Sequence, residues 1–473
     1  MEHLFDKLEQ YGGGETYPYH MPGHKRRCWG MLPEEMYRRD ITEIEGFDDL
    51  HHPEGILKNL QEHAAVLYGA EESFYLVNGS TSGILSAVSA ALPAGGHILM
   101  ARNCHKAAYH AVYLRNLSVS YLYPELLETY DIPDVIKPEQ VRKALEQESD
   151  IGAVLIVSPT YEGRISDIKG IADAVHEKGI PLIVDEAHGA HLGFSPDFAP
   201  NSCQAGADLV VHSVHKTLPS LTQTALLHVS GRLIDRERLR RFLRIYQSSS
   251  PSYLLMASID NALRYVEETG TEAFAAFAQN YRNLVEALTA CEKLRFLSLE
   301  PERQDIGKLL ISTKMTNVSG KSLCDILLKK YHLQLEMAAE TYALAMFTVN
   351  DTEEGYKRLQ SALLEIDALL GERTEDSAQK TFSQMMNKNS TPASAIPLAQ
   401  AWDMDRCHVE LQNSVGCYAG EFVNLYPPGI PLLVPGEEIT VQTTMNIMRY
   451  INAGLCVQGI EVKEGKTLIC ILR

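Results

Sequence analysis

Five short apolar runs constrain this chain more than any other feature: HILMA (97–101), GAVLIVS (152–158), PLIVDEA (181–187), DLVVHS (208–213) and TALLHV (224–229). Runs without polar alternation suit strands covered on both faces, and the helical periodicity between them supplies the cover. The prediction is an α/β fold, a mostly parallel sheet with helices above and below. Ahead of these runs, ILKNLQEHAAVLYGA reads as an amphipathic helix stopping at Gly69, and SFYLV (73–77) as a short strand ending at Asn78-Gly79. STSGILSAVSAAL then opens with hydroxyl residues suited to capping and continues as a helix.

With 473 residues and 45% hydrophobic content, the chain exceeds what one ordinary core needs. Residues 1–56, rich in His, Pro and Gly, are expected to form an N-terminal arm with short helices, and 57–265 the large domain. Beyond 265 the helices lengthen, and KLLIST, LQLEMA and LAMFTV mark a smaller α/β domain over 266–370. The polar stretch 371–394 reads as a linker, followed by a C-terminal domain over 395–473.

Acidic side chains outnumber basic ones 61 to 43, a formal net charge of −18, which argues against nucleic acid and anionic membrane partners. The densest basic run, Arg232 to Arg244, carries Leu, Ile and Phe at helical spacing and reads as a solvated helix face. Nine cysteines form no CxxC pair and no zinc-ligand spacing, so they read as reduced thiols and no metal is expected. No segment reaches the ~18 apolar residues of a membrane span, and the N-terminus lacks a signal pattern. The expected compartment is the cytoplasm.

The residues that carry chemistry cluster at strand ends. Asp185 and Glu186 in VDEAHGAH close one buried run, at the edge where open α/β sheets bind ligands. The next run delivers Ser213, His215 and Lys216 to the same edge. A lone lysine there is ordinarily a surface charge, and a glycine-serine turn such as Gly79-Ser80-Thr81 is ordinarily only a helix start. Together they supply a Schiff-base amine, an acid and a phosphate-binding helix terminus, which is what pyridoxal 5'-phosphate requires. Asp185 would hold the pyridine nitrogen protonated, and His105 in RNCHKA is placed to stack on the ring, although a solvent-facing histidine is the bland alternative.

At this point the sequence resembles the fold type I ornithine/lysine/arginine decarboxylases, in the short bacterial form without an N-terminal wing domain. Nine ordered motifs carry the likeness: HMPGHK (20–25), DDLHHPEG (48–55), VNGSTSG (77–83), RNCHKA (102–107), SPTYEG (158–163), VDEAHGAH (184–191), HSVHKTLPSLTQ (212–223), QSSSPSYLLMASID (247–260) and YPPGIPLLVPGE (426–437). The resemblance implies an aspartate-aminotransferase-like fold with a seven-stranded, mostly parallel sheet, a small α/β domain and a C-terminal α+β domain. It makes Lys216 the cofactor lysine, Asp185 the ring-nitrogen partner, His105 the stacking ring and His188 its close neighbour. Ser80, Thr81, Ser213 and His215 would hold the phosphate. The family looks like obligate dimers with shared active sites, which implies that the Ser248-Ser249-Ser250 run reaches the neighbouring phosphate in a homodimer or higher even oligomer. One departure stands out: where the family commonly has Gly-Arg ahead of the YPPGIP segment, this chain has Gly416-Cys417.

The expected reaction is decarboxylation of lysine, arginine or ornithine to cadaverine, agmatine or putrescine, with Lys216 or His215 returning a proton to Cα. Selecting a basic side chain needs an acid in the pocket, for which Glu421 is the first candidate, with Asp49 and Glu340 behind it. An aminotransferase, aldolase or β-eliminating lyase would keep the cofactor and break another bond. A non-catalytic regulatory homologue is the reading from a different class.

Overall fold

The computed structural model describes residues 1–14, 17–22, 24–27, 32–298, 300, 302–372, 396–426 and 429–473. Apart from residues 371 and 372, the predicted linker lies outside the described residues, as do Cys28 and the two prolines of the YPPG segment. The six strands read from the sequence form, as β1 (Glu72–Leu76), β2 (His97–Ala101), β4 (Ile151–Val157), β5 (Leu182–Asp185), β6 (Leu209–His212) and β7 (Ala225–Val229), and β3 (Ser118–Leu122), which is not among the predicted runs, is a seventh. Every residue of β5, β6 and β7 is buried, which is why their sequences show no alternation. The chain divides into two compact units.

The first unit comprises Met1–Pro93 and Asp167–Ala275. Here β5 and β6 are parallel, whereas β7 runs antiparallel between β6 and β1. The sheet is therefore mixed at this side. The helix Ile56–Tyr68 ends at Gly69, whose φ of +72° suits a residue without Cβ. The helix Gly79–Ala91 packs so closely on the sheet that a Cβ on Gly83 would stand 2.7 Å from Leu76 and 2.8 Å from Val211. Two short helices, Leu4–Gly13 and Glu34–Arg39, lie in the N-terminal arm, and the basic run forms the helix Arg236–Tyr246.

The second unit comprises Ala94–Ser166 and Ala276–Arg473. In it β2 pairs in parallel with both β3 and β4. A separate four-stranded antiparallel sheet is built from Arg295–Phe296, Lys308–Ser312, Tyr342–Met346 and Met337–Ala338, with the helices Gly320–Tyr331 and Glu353–Leu369. Of LQLEMA only Met337 and Ala338 are paired. The C-terminal segment adds two three-stranded antiparallel sheets and the helix Val441–Asn452 around a core that includes Val423, Leu433, Ile447 and Ile469. Among the described residues, no helix is long and apolar enough to cross a membrane.

Candidate active site

The parallel ends of β5 and β6 bring the predicted cofactor residues of the first unit together. Lys216, in the helical turn Val214–Thr217 that follows β6, places Nζ 3.0 Å from Nε2 of His188. Asp185 is the last residue of β5 and is 6% exposed. Burial raises its pKa, while the Lys216 charge and the Ala187 N–H, which donates to Oδ1 at 3.2 Å, pull it back down. An acid so placed is ionised most readily when a cation faces it. Next to them Ser213 is fully buried, and its Oγ has no hydrogen-bond partner among the described residues. His215 is partly buried and donates from Nδ1 to the Thr224 carbonyl at 2.8 Å, leaving Nε2 as its second functional nitrogen. Burial is the largest influence on it and lowers its pKa, reinforced by Lys216 and opposed by the Thr224 carbonyl.

The helix Gly79–Ala91 begins differently from the expectation. Its N-cap is Asn78, not a hydroxyl residue, and that side chain makes no capping bond. Asn78 Oδ1 instead accepts from the Ser248 N–H at 3.3 Å. The first-turn N–H groups of Gly79, Ser80 and Thr81 are thus left without the usual side-chain cap, which is what an anion at a helix N-terminus needs. Ser80 is partly buried, Thr81 is exposed, and Gly79 has a φ of +74°. Ser248 accepts at its carbonyl from His51 Nε2 at 2.8 Å, and its Oγ donates to the Ser250 carbonyl at 3.2 Å. Tyr253 donates to the Asp48 carbonyl. The DDLHHPEG and QSSSPSY motifs therefore meet at the start of the helix Gly79–Ala91, with Ser248 bonded to its own chain's Asn78.

A cofactor with a Schiff-base aldehyde, a basic ring nitrogen and a phosphate fits this donor set. The orphaned Ser213 hydroxyl and the uncapped helix start each lack a partner that such a group would supply, and the buried Asp185 carboxyl would meet its ring nitrogen.

The acids proposed for the substrate are all engaged within their own units. Asp49 accepts from the His51 N–H at 2.8 Å. Glu421 accepts from Trp402 Nε1 at 3.1 and 3.3 Å, from Arg406 Nη1 at 3.0 Å and from the Phe422 N–H at 2.9 Å, so a substrate head group there would have to displace Arg406. Glu340 pairs with Arg449. Cys417, at the departure from the family pattern, is partly buried against the C-terminal core.

In the second unit His105 caps the helix Lys106–Arg115, its Nδ1 accepting from the Ala107 N–H at 3.2 Å. A Cβ on Gly429 would lie 3.7 Å from the imidazole edge. Three residues earlier, Arg102 is buried and bonds both oxygens of Glu437, at 3.2 and 3.1 Å, and the Pro431 carbonyl at 2.8 Å. The pair joins two of the nine motifs and was missed by sequence reasoning. The signal for it was an arginine directly after an apolar strand and an acid inside VPGE.

The sequence profile of the Orn/Lys/Arg decarboxylase major domain matches residues 3–303, and that of the C-terminal domain matches residues 375–458. Arginine decarboxylase of Bacillus subtilis is 31% identical over 97% of this chain and 95% of its own length. The solved structure of lysine decarboxylase A from Pseudomonas aeruginosa superposes with a TM-score of 0.83 at 19% identity, over 99% of this chain and 80% of that one. A structure of SPT with PLP bound shares the fold at a TM-score of 0.53 and 15% identity, over 66% of this chain and 76% of that one.

Proposed function

Because the chain belongs to the Orn/Lys/Arg decarboxylase family and is a pyridoxal-phosphate-dependent decarboxylase of basic amino acids, we propose that arginine is its substrate, Lys216 its cofactor lysine and Asp185 the partner of the ring nitrogen. The observation that carries the site reading is the juxtaposition of Lys216, His188 and buried Asp185 at the ends of two parallel strands. The choice of arginine rests on the name of the 31% identical relative.

Bound cofactor supplies the electron sink for the pair left at Cα when carbon dioxide departs. Asp185 contributes a carboxylate in a water-poor position, where its attraction for a protonated ring nitrogen is strongest. The uncapped first turn at Gly79–Thr81 and the Ser213 hydroxyl would hold the phosphate, while the family likeness implies that Ser249 and Ser250 reach the neighbouring subunit's phosphate. His188 orients Lys216 Nζ, and the family likeness implies that His105 would stack on the cofactor ring. Lys216 Nζ would return the proton to Cα, and His215 could do so only in its imidazolium form, because in the neutral ring Nδ1 holds the proton on the Thr224 carbonyl and Nε2 has none to give. For the basic head group, Glu421 and Asp49 remain the acids to test.

The assembly that goes with this reading is a homodimer with shared sites, working in the cytoplasm in polyamine biosynthesis. Eight free thiols among the described residues are compatible with a reducing compartment.

The purified protein is incubated separately with arginine, lysine and ornithine, and the product is identified by mass spectrometry. Agmatine from arginine at the highest kcat/KM is expected. Cadaverine or putrescine as the preferred product overturns the substrate, and no amine from any of the three overturns the reading of the site.

A further inference from the structure

Beneath the proposed cofactor site, four buried polar side chains are hydrogen-bonded in series across neighbouring strands. Glu186, directly after β5, has Oε2 2.7 Å from His212 Nε2 at the end of β6. His212 Nδ1 lies 3.0 Å from Nε2 of His228 on β7, and His228 Nδ1 lies 2.6 Å from Oγ of Ser73 on β1. Ser202 closes the near end, donating from Oγ to Glu186 Oε1 at 2.7 Å and from its N–H to Oε2 at 3.0 Å. None of the five is more than 4% exposed. The Tyr68 ring covers both imidazoles at 4.8 and 4.5 Å. The series is not remote from the chemistry: Glu186 follows Asp185, and His212 precedes Ser213 at the end of β6, four residues before Lys216.

A neutral imidazole between two partners donates through one nitrogen and accepts through the other, so with both rings neutral the series has two proton orders. In the first, Glu186 carries a proton and donates to His212 Nε2, His212 Nδ1–H donates to His228 Nε2, and His228 Nδ1–H donates to Ser73 Oγ. In the second, one proton has gone to solvent and every bond is reversed: Ser73 O–H donates to His228 Nδ1, His228 Nε2–H to His212 Nδ1, and His212 Nε2–H to a Glu186 carboxylate. The first order is neutral, and the second buries a negative charge one residue from Asp185.

We propose that Glu186 is a positioning residue that works protonated, heading a one-way hydrogen-bond chain through His212 and His228 to Ser73 that fixes the strand ends bearing Asp185 and Lys216 and keeps a second negative charge away from Asp185. The titratable groups facing Glu186 are His212 on β6, Tyr68 on the helix Ile56–Tyr68, Cys203 beside Ser202, and His191. Burial pushes Glu186 up to about 8 against the Ser202 bonds and His191, and pushes His212 down to about 3. Both shifts agree with the neutral order near pH 7.

The inference deepens the role read for Asp185 and rests on that reading. Its test uses the cofactor-loaded enzyme. In E186Q the amide keeps a donor for His212 and an acceptor for Ser202 Oγ, giving up only the bond from the Ser202 N–H, and so locks the first order, whereas E186L removes all three bonds. Expected is kcat at pH 7 within about threefold of the parent for E186Q and at least tenfold lower for E186L. The parent should lose kcat above a pKa near 8, and that limb should be absent or shifted by at least about one unit in E186Q.

A pH profile of E186Q that overlays the parent, or a folded, loaded E186Q at least tenfold slower at pH 7, overturns the proposal. Should the variants not fold, nitrogen-15 NMR of labelled histidines in the parent decides. Nδ1–H tautomers at both His212 and His228 support the chain, and Nε2–H tautomers overturn it. Failure of borohydride to fix the cofactor on Lys216 would count against the site reading alone, because the tautomers are read independently of it.

Discussion

Lys216 Nζ and His188 Nε2 stand 3.0 Å apart, a separation at which one nitrogen must donate and the other accept. An ammonium has only protons to offer, so it donates to the unprotonated Nε2 of a neutral imidazole. Lys216 is thereby held at the end of β6 by a residue that follows β5. Replacing the lysine removes the amine itself. K216A should leave no phosphopyridoxyl-lysine after borohydride reduction and lower kcat by about 10²–10⁴-fold. H188A should keep the adduct but misplace the amine, lowering kcat by on the order of 10- to 100-fold with a smaller change in KM. Peptide mapping and steady-state kinetics check both.

Glu186 ties stability to pH. Its carboxyl has an ordinary value of 4.5 and is raised by burial to about 8 in the folded chain. Between these values the folded state binds a proton that the unfolded state has released, so stability falls as pH rises through the window and levels off above it. The contribution lost is on the order of 3–5 kcal/mol. Thermal unfolding from pH 5 to 9 should therefore show a decline for the parent that is markedly flatter in E186Q. Equal slopes would mean that Glu186 titrates in the normal range.

Arg102 and Glu437, 1% and 2% exposed, form a doubly bonded ion pair. The Arg102 guanidinium also lies against the Tyr109 and Tyr121 rings, at 5.7 and 5.6 Å. Removing one partner strands a buried charge. E437A should cost about 3–5 kcal/mol, whereas replacing both with apolar residues, as in R102M/E437M, should recover most of that loss. Urea titration followed by circular dichroism measures the difference.

Gly83 is set by packing. A methyl group there would meet Leu76 and Val211 at under 3 Å, and both neighbours are buried sheet residues. G83A should cost about 1–3 kcal/mol and push the helix that carries Gly79, Ser80 and Thr81 off the sheet. Weaker cofactor binding, read by fluorescence titration, should accompany the lower Tm.

Some of this architecture was legible before any coordinates, and particular residues say why. Val210, Val211, Leu226 and Leu227 lie in strands covered on both faces, so burial wrote itself into continuous apolar runs. Lys216 was conspicuous because a charge directly after such a run has to be accommodated at the sheet edge. The antiparallel direction of β7 was not legible, because an apolar run carries no sign of which way its neighbours point. Nor was the cap at Asn78, whose side chain serves Ser248 rather than its own helix. Glu421 looked like a free pocket acid, and its engagement with Trp402 and Arg406 came only with the C-terminal fold.

What the sequence determined by itself is what local burial and short-range order impose: the strands, the helices between them, and the motifs that put Asp185, Ser213 and Lys216 at strand ends. What only the tertiary structure decided is which distant polar groups share a proton or a charge. Glu186 and His212 are 26 positions apart and Arg102 and Glu437 are 335 apart. Strand order, register and chain folding bring them within hydrogen-bond reach, and no local propensity encodes that distance.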